Sequence, residues 1–594
     1  MRNRQFKSLT GGELLCQLLE AHNVEHIFGY IGGAALPLFD AIYKSTLFHC
    51  IVPHHEQGAG HMAEGYAAAT LKPGIVIVTS GPGSSNLVTP LLNASLDGTP
   101  MVAICAQVST AVRGTGAFQE IDMMGIARYC TKWSASVGKV GELPCIINEA
   151  FHQATSARPG PVLVVIPVDV AAATFDDTQM ELSLSEPLKD SYHERMSEGE
   201  PIVIRDDDQA KMQNQLDKAI QLINHSARPV ICAGHGVATS DQGPSLLSQI
   251  SSKYKIPVMT TLMGLGSFDE TRDLALHMVG THGTPYANYA IQNADLILVL
   301  GARLDERVVG NSAAFALKAK EAGHAGKGGI IHFDVSPDTV GKVIEPTQVV
   351  VGDLSQSLPI LLSRLDIQKN RDAWLYQIQL WKTQYALKVP TIEPLAHPTP
   401  QTVISELNLQ TSSYKHRMVI TTGVGHHQMW AAQRYRYKFP QSMITSGSLG
   451  TMGFGLPASI GAQIGRPDTT VIDIDGDASI CMTMEELLTA KQYNVPIKII
   501  VFNNGGQGMT AQIQRQSFGG RVCYNRPINP DFVMLAKSMG CESRRCESSV
   551  ELAESIRWLL QRRDPALLDI VMDDIDMTPI VPAGKALELI TLED

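Results

Sequence analysis

Residues 471–479 read VIDIDGDAS, and residues 497–504 read IKIIVFNN. Each stretch holds a short apolar run typical of a buried parallel strand, and each ends in polar residues. Because parallel strands have their carboxyl ends at one edge of a sheet, we expect Asp477 and Asn504 to meet there. A carboxylate and a carboxamide suit Mg²⁺, which leaves positions for phosphate and water. An ordinary Gly-Asp turn is the alternative at Asp477.

Similar apolar runs recur along the chain in three sets. They occupy residues 75–78, 101–104 and 162–167, then 229–234, 296–301 and 330–335, then 418–422, 471–475, 497–502 and 567–571. Alternation of such runs with helical stretches predicts an α/β protein with three doubly wound parallel-sheet domains. The predicted boundaries are a first domain at 1–180, a linker at 181–208, a central domain at 209–365, a connecting segment at 366–400, a third domain at 401–575 and a tail at 576–594.

The composition excludes several classes of protein. With 48 Lys and Arg against 59 Asp and Glu, the 594-residue chain carries a formal net charge of −11, which disfavours nucleic acid as a partner. No apolar run is long enough for a transmembrane helix, so we expect no membrane partner. Residues 1–8 read MRNRQFKS and leave no room for a targeting peptide in the chain as given, which indicates a cytosolic protein.

A second informative stretch is residues 53–66, which read PHHEQGAGHMAEGY. Glu56 precedes a predicted helix of small residues. If that helix packs closely on a neighbour, Glu56 lies in apolar surroundings, where a carboxyl group can exchange a proton with a ligand nitrogen. The ordinary alternative is that Glu56 caps the helix N-terminus.

Together these two stretches resemble the thiamine-diphosphate enzymes. The chain is further similar to the catalytic subunits of the acetolactate (acetohydroxyacid) synthases, particularly the fungal ones, from about Leu9 to its last residues, except at 172–208. The segments that carry this similarity are FGY at 28–30, GGA at 32–34, TSGPG at 79–83, AFQE at 117–120, CTKW at 130–133, GVGHHQMW at 423–430 and GTMGFGLP at 450–457.

The resemblance implies a transferase of branched-chain amino acid biosynthesis, on the route to isoleucine and valine. Such an enzyme decarboxylates pyruvate on thiamine diphosphate and ligates the remaining two-carbon unit to a second 2-oxo acid, either pyruvate or 2-oxobutyrate. The implied cofactors are thiamine diphosphate, Mg²⁺ and an FAD that undergoes no redox turnover. In this reading the first domain binds the pyrimidine, the central domain FAD and the third domain the diphosphate.

The resemblance also implies roles for individual residues. Glu56 activates the cofactor, Met452 supports its bent shape and Gln119 assists catalysis, while Mg²⁺ binds Asp477, Asn504 and the carbonyl near Gly506. The implied thiamine-diphosphate residues are Glu56, Val424, His427, Gln428, Gly450, Met452, Gly476, Asp477, Ala478, Ser479, Asn504, Gly506, Gln507, Gly508 and Met509. The implied FAD residues are Arg158, Gly234, Gly236, Thr261, Leu262, His282, Gly283, Arg303, Asp305, Asp334, Val335 and Asp353. The implied substrate channel contains Gly33, Ala34, Ser109, Phe118, Val168, Thr281, Arg307, Thr510 and Ile513.

Several channel positions depart from the family. The family usually has Pro, Lys, Met, Val and Trp where this chain has Ser109, Val168, Thr281, Thr510 and Ile513. The tryptophan is associated with preference for 2-oxobutyrate, and loss of packing on one methylene costs roughly 1–3 kcal/mol of discrimination. We therefore expect weaker selection of 2-oxobutyrate over pyruvate.

Alternative functions remain open at the level of sequence. The resemblance implies that inhibitors of this family bind in the same channel, so the five substitutions favour a paralogue that tolerates such inhibitors. A further alternative is a thiamine-diphosphate carboligase that acts on another 2-oxo acid in secondary metabolism. A non-catalytic scaffold is disfavoured because Glu56, Asp477 and Asn504 are all present. Resemblance further implies a homodimer or larger homo-oligomer, a regulatory subunit as partner, and a mitochondrial location if a presequence precedes the chain.

Overall fold

The computed structural model describes residues 9–175, 206–366, 369–525 and 528–592. Within them lie three parallel six-stranded sheets and one short antiparallel pair, β1 (Leu9–Thr10) with β8 (Thr174–Phe175). The predicted α/β class with three doubly wound sheets is confirmed. The predicted domain boundaries stay predictions, and most of the predicted linker at 181–208 lies outside the described residues.

The first sheet has the strand order β3-β2-β4-β5-β7-β6. Its strands are β2 (His26–Tyr30), β3 (His49–Ile51), β4 (Gly74–Val78), β5 (Met101–Gln107), β6 (Trp133–Ser136) and β7 (Pro161–Pro167). The accompanying helices are α1 (Gly11–Ala21), α2 (Leu36–Lys44), α3 (Glu56–Thr70), α4 (Pro82–Ser85), α5 (Val88–Asp97), α6 (Met123–Cys130), α7 (Leu143–Thr155) and α8 (Val168–Ala172). Strands β4, β5 and β7 are buried along their whole length, as expected where helices cover both faces.

The central sheet has the order β11-β10-β9-β12-β13-β14, which is the 3-2-1-4-5-6 order of many nucleotide-binding folds. Its strands are β9 (Pro229–Ala233), β10 (Val258–Thr260), β11 (Ala275–Met278), β12 (Leu296–Leu300), β13 (Gly329–Asp334) and β14 (Gln348–Val351). Its helices are α9 (Asp206–His225), α10 (His235–Thr239), α11 (Gly243–Tyr254), α12 (Pro285–Asn293), α13 (Glu306–Val309), α14 (Leu317–His324) and α15 (Leu354–Arg364), followed by α16 (Asp372–Gln384).

The third sheet has the order β16-β15-β17-β18-β20-β19. Its strands are β15 (Met418–Thr422), β16 (Met443–Thr445), β17 (Thr470–Gly476), β18 (Lys498–Asn503), β19 (Glu542–Cys546) and β20 (Ala566–Val571). Its helices are α17 (Pro400–Gln410), α18 (His426–Arg434), α19 (Gly455–Gly465), α20 (Asp477–Ile480), α21 (Glu486–Gln492), α22 (Gly508–Ser517), α23 (Phe532–Ser538) and α24 (Leu552–Leu560). All the apolar runs identified from the sequence are strands.

The first and third sheets repeat one topology, and equivalent helices of the two pack on each other. Helix α3 follows β3 and helix α19 follows β16, which are the same positions in the two sheets. A Cβ on Gly65 of α3 would lie 2.0 Å from the carbonyl oxygen of Ala458, and one on Gly461 of α19 would lie 1.8 Å from that of Met62. The two backbones are therefore in direct contact.

Among the described residues, none of the helices combines the length and the apolar character needed to span a membrane.

We expect Gly461→Ala to destabilise the protein, because the added methyl group would overlap the Met62 carbonyl and force the two helices apart. Overpacking of this kind costs roughly 1–3 kcal/mol or more. The measurement is the midpoint of thermal unfolding. Gly33→Ala is the control, because its Cβ would meet no atom within 4 Å. Equal midpoints for the two variants would contradict the contact.

Candidate functional site

The carboxyl edge of the third sheet brings the predicted metal ligands together. Asp477 begins α20 directly after β17, and its side chain is 1% exposed. Its carboxylate accepts hydrogen bonds from the backbone N–H of Ala478 at 2.9 Å and from Asn529 Nδ2 at 2.7 Å. Burial raises the pKa of Asp477, while these bonds and the amides of Gly505 and Gly506 act to lower it. The loop after β18 therefore lies against Asp477, as the sequence predicts.

The N-termini of two helices converge beside this carboxylate. A Cβ on Gly508, the first residue of α22, would lie 2.9 Å from Asn504 Nδ2 and 3.1 Å from Nδ1 of His426, the first residue of α18. Each N-terminus presents backbone N–H groups and a partial positive charge. Two of them at one place fit the anionic end of a diphosphate.

Buried polar atoms in this crevice that have no hydrogen-bond partner among the described residues include Nε2 of His427 and Oδ2 of Asp475. The two side chains approach within 3.4 Å, from Nε2 to Oδ1. Burial lowers the pKa of His427 to about 3 and raises the pKa of Asp475 to about 7. Because unpaired buried polar atoms are costly, they fit a crevice that is completed by a polar ligand.

Glu56 lies at the carboxyl edge of the first sheet. It is the first residue of α3, but the N-cap is His55, whose Nδ1 accepts a hydrogen bond from the N–H of Gln57. The alternative that Glu56 caps the helix is therefore wrong. Its Oε2 instead accepts a hydrogen bond from Asn86 Nδ2 at 2.9 Å. The helix dipole favours an acidic group at this helix start. Because the bond from Asn86 goes to Oε2, Oε1 of Glu56 is available for a ligand.

Other predicted residues of the first domain surround this edge. Gly33 faces open space, Phe118 is 88% exposed, and Gln119 adopts a left-handed φ of 63°. Ser109 and Val168 lie in neighbouring segments that are joined by hydrogen bonds from Thr110 to Asp169. These segments follow β2, β5 and β7, so this set forms a second crevice edge on a different sheet from Asp477.

A buried carboxylate of the third domain holds the segment that leads into Glu56. Glu486 accepts hydrogen bonds from the backbone N–H groups of His54 and His55, each at 3.2 Å, and from Thr489 Oγ1 at 2.6 Å. A Cβ on Gly58 would lie 2.1 Å from Glu486 Oε1, so a side chain at this position would displace the Glu486 carboxylate. Burial raises the pKa of Glu486 to about 7.

A cavity of about 670 Å³ opens between the three sheets. That volume lies in the range that proteins use for bound organic ligands, ~300–1,000 Å³. Most of the predicted FAD residues line it: Arg158, Gly236, Thr261, Leu262, His282, Arg303, Asp305, Asp334, Val335 and Asp353. Four of the predicted thiamine-diphosphate residues, Val424, Gln428, Gly450 and Met509, line its other end.

Two predicted FAD residues do not line the cavity. A Cβ on Gly234 would lie 2.3 Å from the carbonyl oxygen of Gly301, and one on Gly283 would lie 2.6 Å from the nitrogen of Gly280. Both glycines therefore permit close backbone packing behind the cavity wall. At the wall itself, a Cβ on Gly236 would approach Gly301 Cα within 2.8 Å, so the strand ends form a narrow cradle.

The charged lining of the cavity fits a dinucleotide. Arg158 reaches over from the first domain, held by hydrogen bonds to the carbonyl oxygens of Ser95 and Leu96. Arg303 donates a hydrogen bond to Ser448 Oγ. Guanidinium groups suit phosphates, and the nearby carboxylates Asp334 and Asp353 suit ribose hydroxyls.

The remaining channel positions lie near this cavity. Thr281 and Arg307 line it, and the backbone N–H of Val581 in the C-terminal tail donates to the Thr281 carbonyl at 2.8 Å. Thr510 and Ile513 lie one turn apart on α22, and Ile513 is 51% exposed. The side chain that replaces the family's tryptophan is therefore accessible.

Sequence reasoning missed several residues that complete the site. Asn86, Asn529 and Glu486 each bond a predicted functional residue or the segment beside it, but they belong to no motif. A buried network of His61, Glu64 and Asn93 was also missed. For Glu64, Asn93 and Glu486 the signal in the sequence was an acidic or amide side chain within a helix, whereas Asn86 and Asn529 lie outside helices and carried no such signal.

Comparisons with known proteins match three successive family models. Residues 9–126, 216–361 and 423–570 match the N-terminal TPP binding, central and C-terminal TPP binding domains of thiamine pyrophosphate enzymes. The chain is 47% identical over 592 residues to a mitochondrial acetolactate synthase of Schizosaccharomyces pombe, covering 99% of this chain and 87% of that protein. It is 45% identical over 584 residues to the mitochondrial acetolactate synthase catalytic subunit of Saccharomyces cerevisiae, covering 98% and 84%. A chloroplastic acetolactate synthase of Arabidopsis thaliana is 37% identical, with 97% and 83% covered.

We expect Glu486→Gln to change how stability depends on pH. The folded protein takes up a proton on Glu486 near pH 7, whereas an ordinary glutamate does so near 4.5, so this contribution to stability is complete below pH 4.5 and is lost as the pH rises through 7. At ~1.4 kcal/mol per pKa unit the loss is roughly 3 kcal/mol. Urea unfolding at pH 5 and pH 8 measures it. The variant should lose less stability over this interval than wild type or the exposed control Glu393→Gln, and an equal loss would contradict the assignment.

Proposed function

The chain belongs to the catalytic subunits of the acetolactate synthases, a family of thiamine pyrophosphate enzymes, and we propose that it joins two 2-oxo acids at a site divided between two copies of the chain. The observation that carries this proposal is the division of the predicted residues between two sheet edges. Asp477 and Asn504 lie at the third sheet, and Glu56, Phe118 and Gln119 lie at the first. The secondary-metabolism carboligase is not favoured, because the relatives named are acetolactate synthases.

Residues of the third sheet would bind the diphosphate end of thiamine diphosphate. The N–H groups that open α18 and α22 would bind its phosphates, and Mg²⁺ would bind Asp477, Asn504 and the Gly506 carbonyl. When bound, the cofactor supplies a thiazolium ring that takes up the electron pair released as a 2-oxo acid loses carbon dioxide. Nε2 of His427 and Oδ2 of Asp475, which are buried with no hydrogen-bond partner in the part of the chain that the structure describes, support a polar ligand in this crevice.

Glu56 would exchange a proton with a ring nitrogen of the bound pyrimidine. Asn86 orients one carboxylate oxygen, and Glu486 fixes the preceding backbone, so the other oxygen is presented from a rigid helix start. Phe118 and Gln119 would line the space for the second 2-oxo acid. The exposure of Phe118, at 88%, supports a surface that a second protein chain covers.

The cavity between the sheets would bind FAD, with Arg158 and Arg303 toward the diphosphate. Its other end is lined by Gly450 and Met509, so the flavin would lie beside the thiamine site and help to shape it. Arg307 at the cavity rim would pair with the carboxylate of the acceptor 2-oxo acid. A regulatory subunit is expected from the name of the yeast relative as a catalytic subunit.

The direct test is an assay with pyruvate, thiamine diphosphate, Mg²⁺ and FAD that scores acetolactate against acetaldehyde. We expect acetolactate from the wild type and a loss of roughly 10²–10⁴-fold in kcat for Glu56→Gln, because a general acid–base group contributes that much. Binding of the diphosphate should survive in the variant. Acetaldehyde as sole product would contradict the synthase assignment, and full activity of Glu56→Gln would contradict its role.

Mixing two inactive variants tests the divided site. A dimer of one Glu56→Gln chain and one Asp477→Asn chain has one site with both defects and one site with neither. With random pairing, half of the dimers are mixed and each has one of two sites intact, so mixing should restore about a quarter of wild-type activity. Unmixed variants are the controls. No gain after subunit exchange, verified by mass-tagged chains, would place the whole site within one chain.

Ile513, which stands where the family usually has Trp, should set the preference between 2-oxobutyrate and pyruvate as the acceptor. We expect Ile513→Trp to raise the preference for 2-oxobutyrate over pyruvate by roughly tenfold or more, because a flat ring packs on the extra methyl group. Competition between the two acceptors, with products separated by chromatography, gives the ratio. Thr510→Val, one turn away on α22, is the matched control and should change the ratio little. A wild type that already prefers 2-oxobutyrate strongly would contradict this role.

A further inference from the structure

One loop forms a junction of the three domains. The junction loop, residues 446–451, follows β16 and leads directly into Met452 and α19. The residues at 446–450 line the cavity beside Arg158 and Arg303. The loop therefore separates the predicted flavin site from the predicted thiamine-diphosphate site of the same chain.

Asn93 of the first domain fixes both ends of the junction loop. Its Oδ1 accepts hydrogen bonds from Ser446 Oγ at 2.5 Å and from Thr451 Oγ1 at 3.4 Å, and the N–H of Thr451 donates to Ser446 Oγ at 2.9 Å. The Nδ2 of Asn93 donates to Glu64 at 2.7 Å, and Glu64 accepts a second bond from His61. Asn93, Glu64 and His61 are all at most 1% exposed, so this network is shielded from water.

Asp97 fixes the middle of the junction loop. Its two carboxylate oxygens accept hydrogen bonds from successive backbone N–H groups, those of Gly447 at 3.0 Å and Ser448 at 2.9 Å. The carboxylate is 6% exposed, and it is the last residue of α5. Arg303 of the central domain donates to Ser448 Oγ, and Gln428 of the third domain donates to the Ser446 carbonyl at 3.1 Å. Each domain thus contributes a side chain to the position of this loop.

We infer that Asn93 and Asp97 are positioning residues that hold the junction loop so that the flavin and the thiamine diphosphate bind cooperatively within one chain. The inference rests on the proposed function, because it assumes both cofactors. A flavin in the cavity contacts the loop residues that Asp97 orders, and the ordered loop places Gly450 and Met452 for the other cofactor. Since each ligand favours the same loop position, each must raise the affinity of the other by the same factor.

Coupling through the junction loop gives a flavin that undergoes no redox step a role in the site. The loop has glycine at 447 and 450, and Gly450 adopts a φ of 73°. Because glycine loses more conformational freedom on ordering than any other residue, ordering this loop carries a large entropic cost. Ordering it before the second cofactor binds removes part of the entropy that binding would otherwise cost. The flavin then acts through the position of residues 446–452 rather than through its ring chemistry.

The test uses the full-length protein stripped of cofactors. Flavin fluorescence is titrated with and without saturating thiamine diphosphate and Mg²⁺, which gives two dissociation constants for FAD and their ratio. We expect a ratio of about tenfold for the wild type, equivalent to ~1.4 kcal/mol of coupling. The reverse titration of thiamine diphosphate with and without FAD should give the same ratio.

Asp97→Asn is the informative variant, because its side chain keeps the volume but offers only one acceptor oxygen to two N–H groups. We expect its coupling ratio to fall toward one, while its thermal unfolding midpoint, without cofactors, falls only by the cost of one unpaired N–H group, so that the variant is folded under the conditions of the titration. Ser446→Ala, which removes a donor to Asn93 Oδ1 and the acceptor of the Thr451 N–H, should lower the ratio in the same direction, and its unfolding midpoint is measured beside that of Asp97→Asn. Thr339→Ala, on the central-domain wall of the cavity, is the matched control and should weaken FAD binding without changing the ratio.

The titrations distinguish failure of FAD binding from failure of the coupling between FAD and thiamine diphosphate. A wild type that binds no FAD would contradict the proposed flavin site itself. A wild type that binds both cofactors independently, with a ratio near one, would overturn the coupling. The coupling would also be overturned if Ser446→Ala and a folded Asp97→Asn both kept the wild-type ratio of FAD dissociation constants.

Discussion

The contact between α3 and α19 is the constraint on which the rest of the structure depends. Gly65 and Gly461 let the two backbones touch at Ala458 and Met62, and a single methyl group at either glycine would prevent it. The contact is reciprocal, because the two helices hold equivalent places in sheets of the same strand order. Helix α3 begins at Glu56, and α19 follows the loop that contains Gly450 and Met452, so this one contact positions predicted cofactor residues of both domains.

Close approach of the two domains imposes a second requirement. Polar groups that the interface removes from water must find partners across it, since an unpaired buried polar group costs roughly 1–3 kcal/mol. Glu486 meets this requirement at His54 and His55, and Asp97 meets it at the junction loop. These bonds connect the interface to the cofactor crevices, so packing and chemistry share the same residues.

Much of the fold was predictable because its signals are local. Buried parallel strands such as β5 and β18 are continuous apolar runs that end in polar residues or glycine, and both properties are visible in one dimension. Strand β19 was not predictable, because ESRRC carries no apolar run and lies at a sheet edge. The convergence of Asp477 with the loop after β18 was predictable, because parallel pairing places successive strand ends at one edge.

The sequence by itself determined the three-sheet class and the family, and it predicted two sets of site residues, because strand patterns and strand-end motifs need only neighbours along the chain. Only the tertiary structure decided that His55 rather than Glu56 caps α3, that Glu486 holds the segment before Glu56, and that one cavity joins residues of three domains. The His55 cap depends on which of two adjacent side chains turns toward the Gln57 N–H, whereas the other two features depend on residues that lie hundreds of positions apart in the sequence. Their partners are chosen by the packing of α3 on α19, for which no local pattern exists.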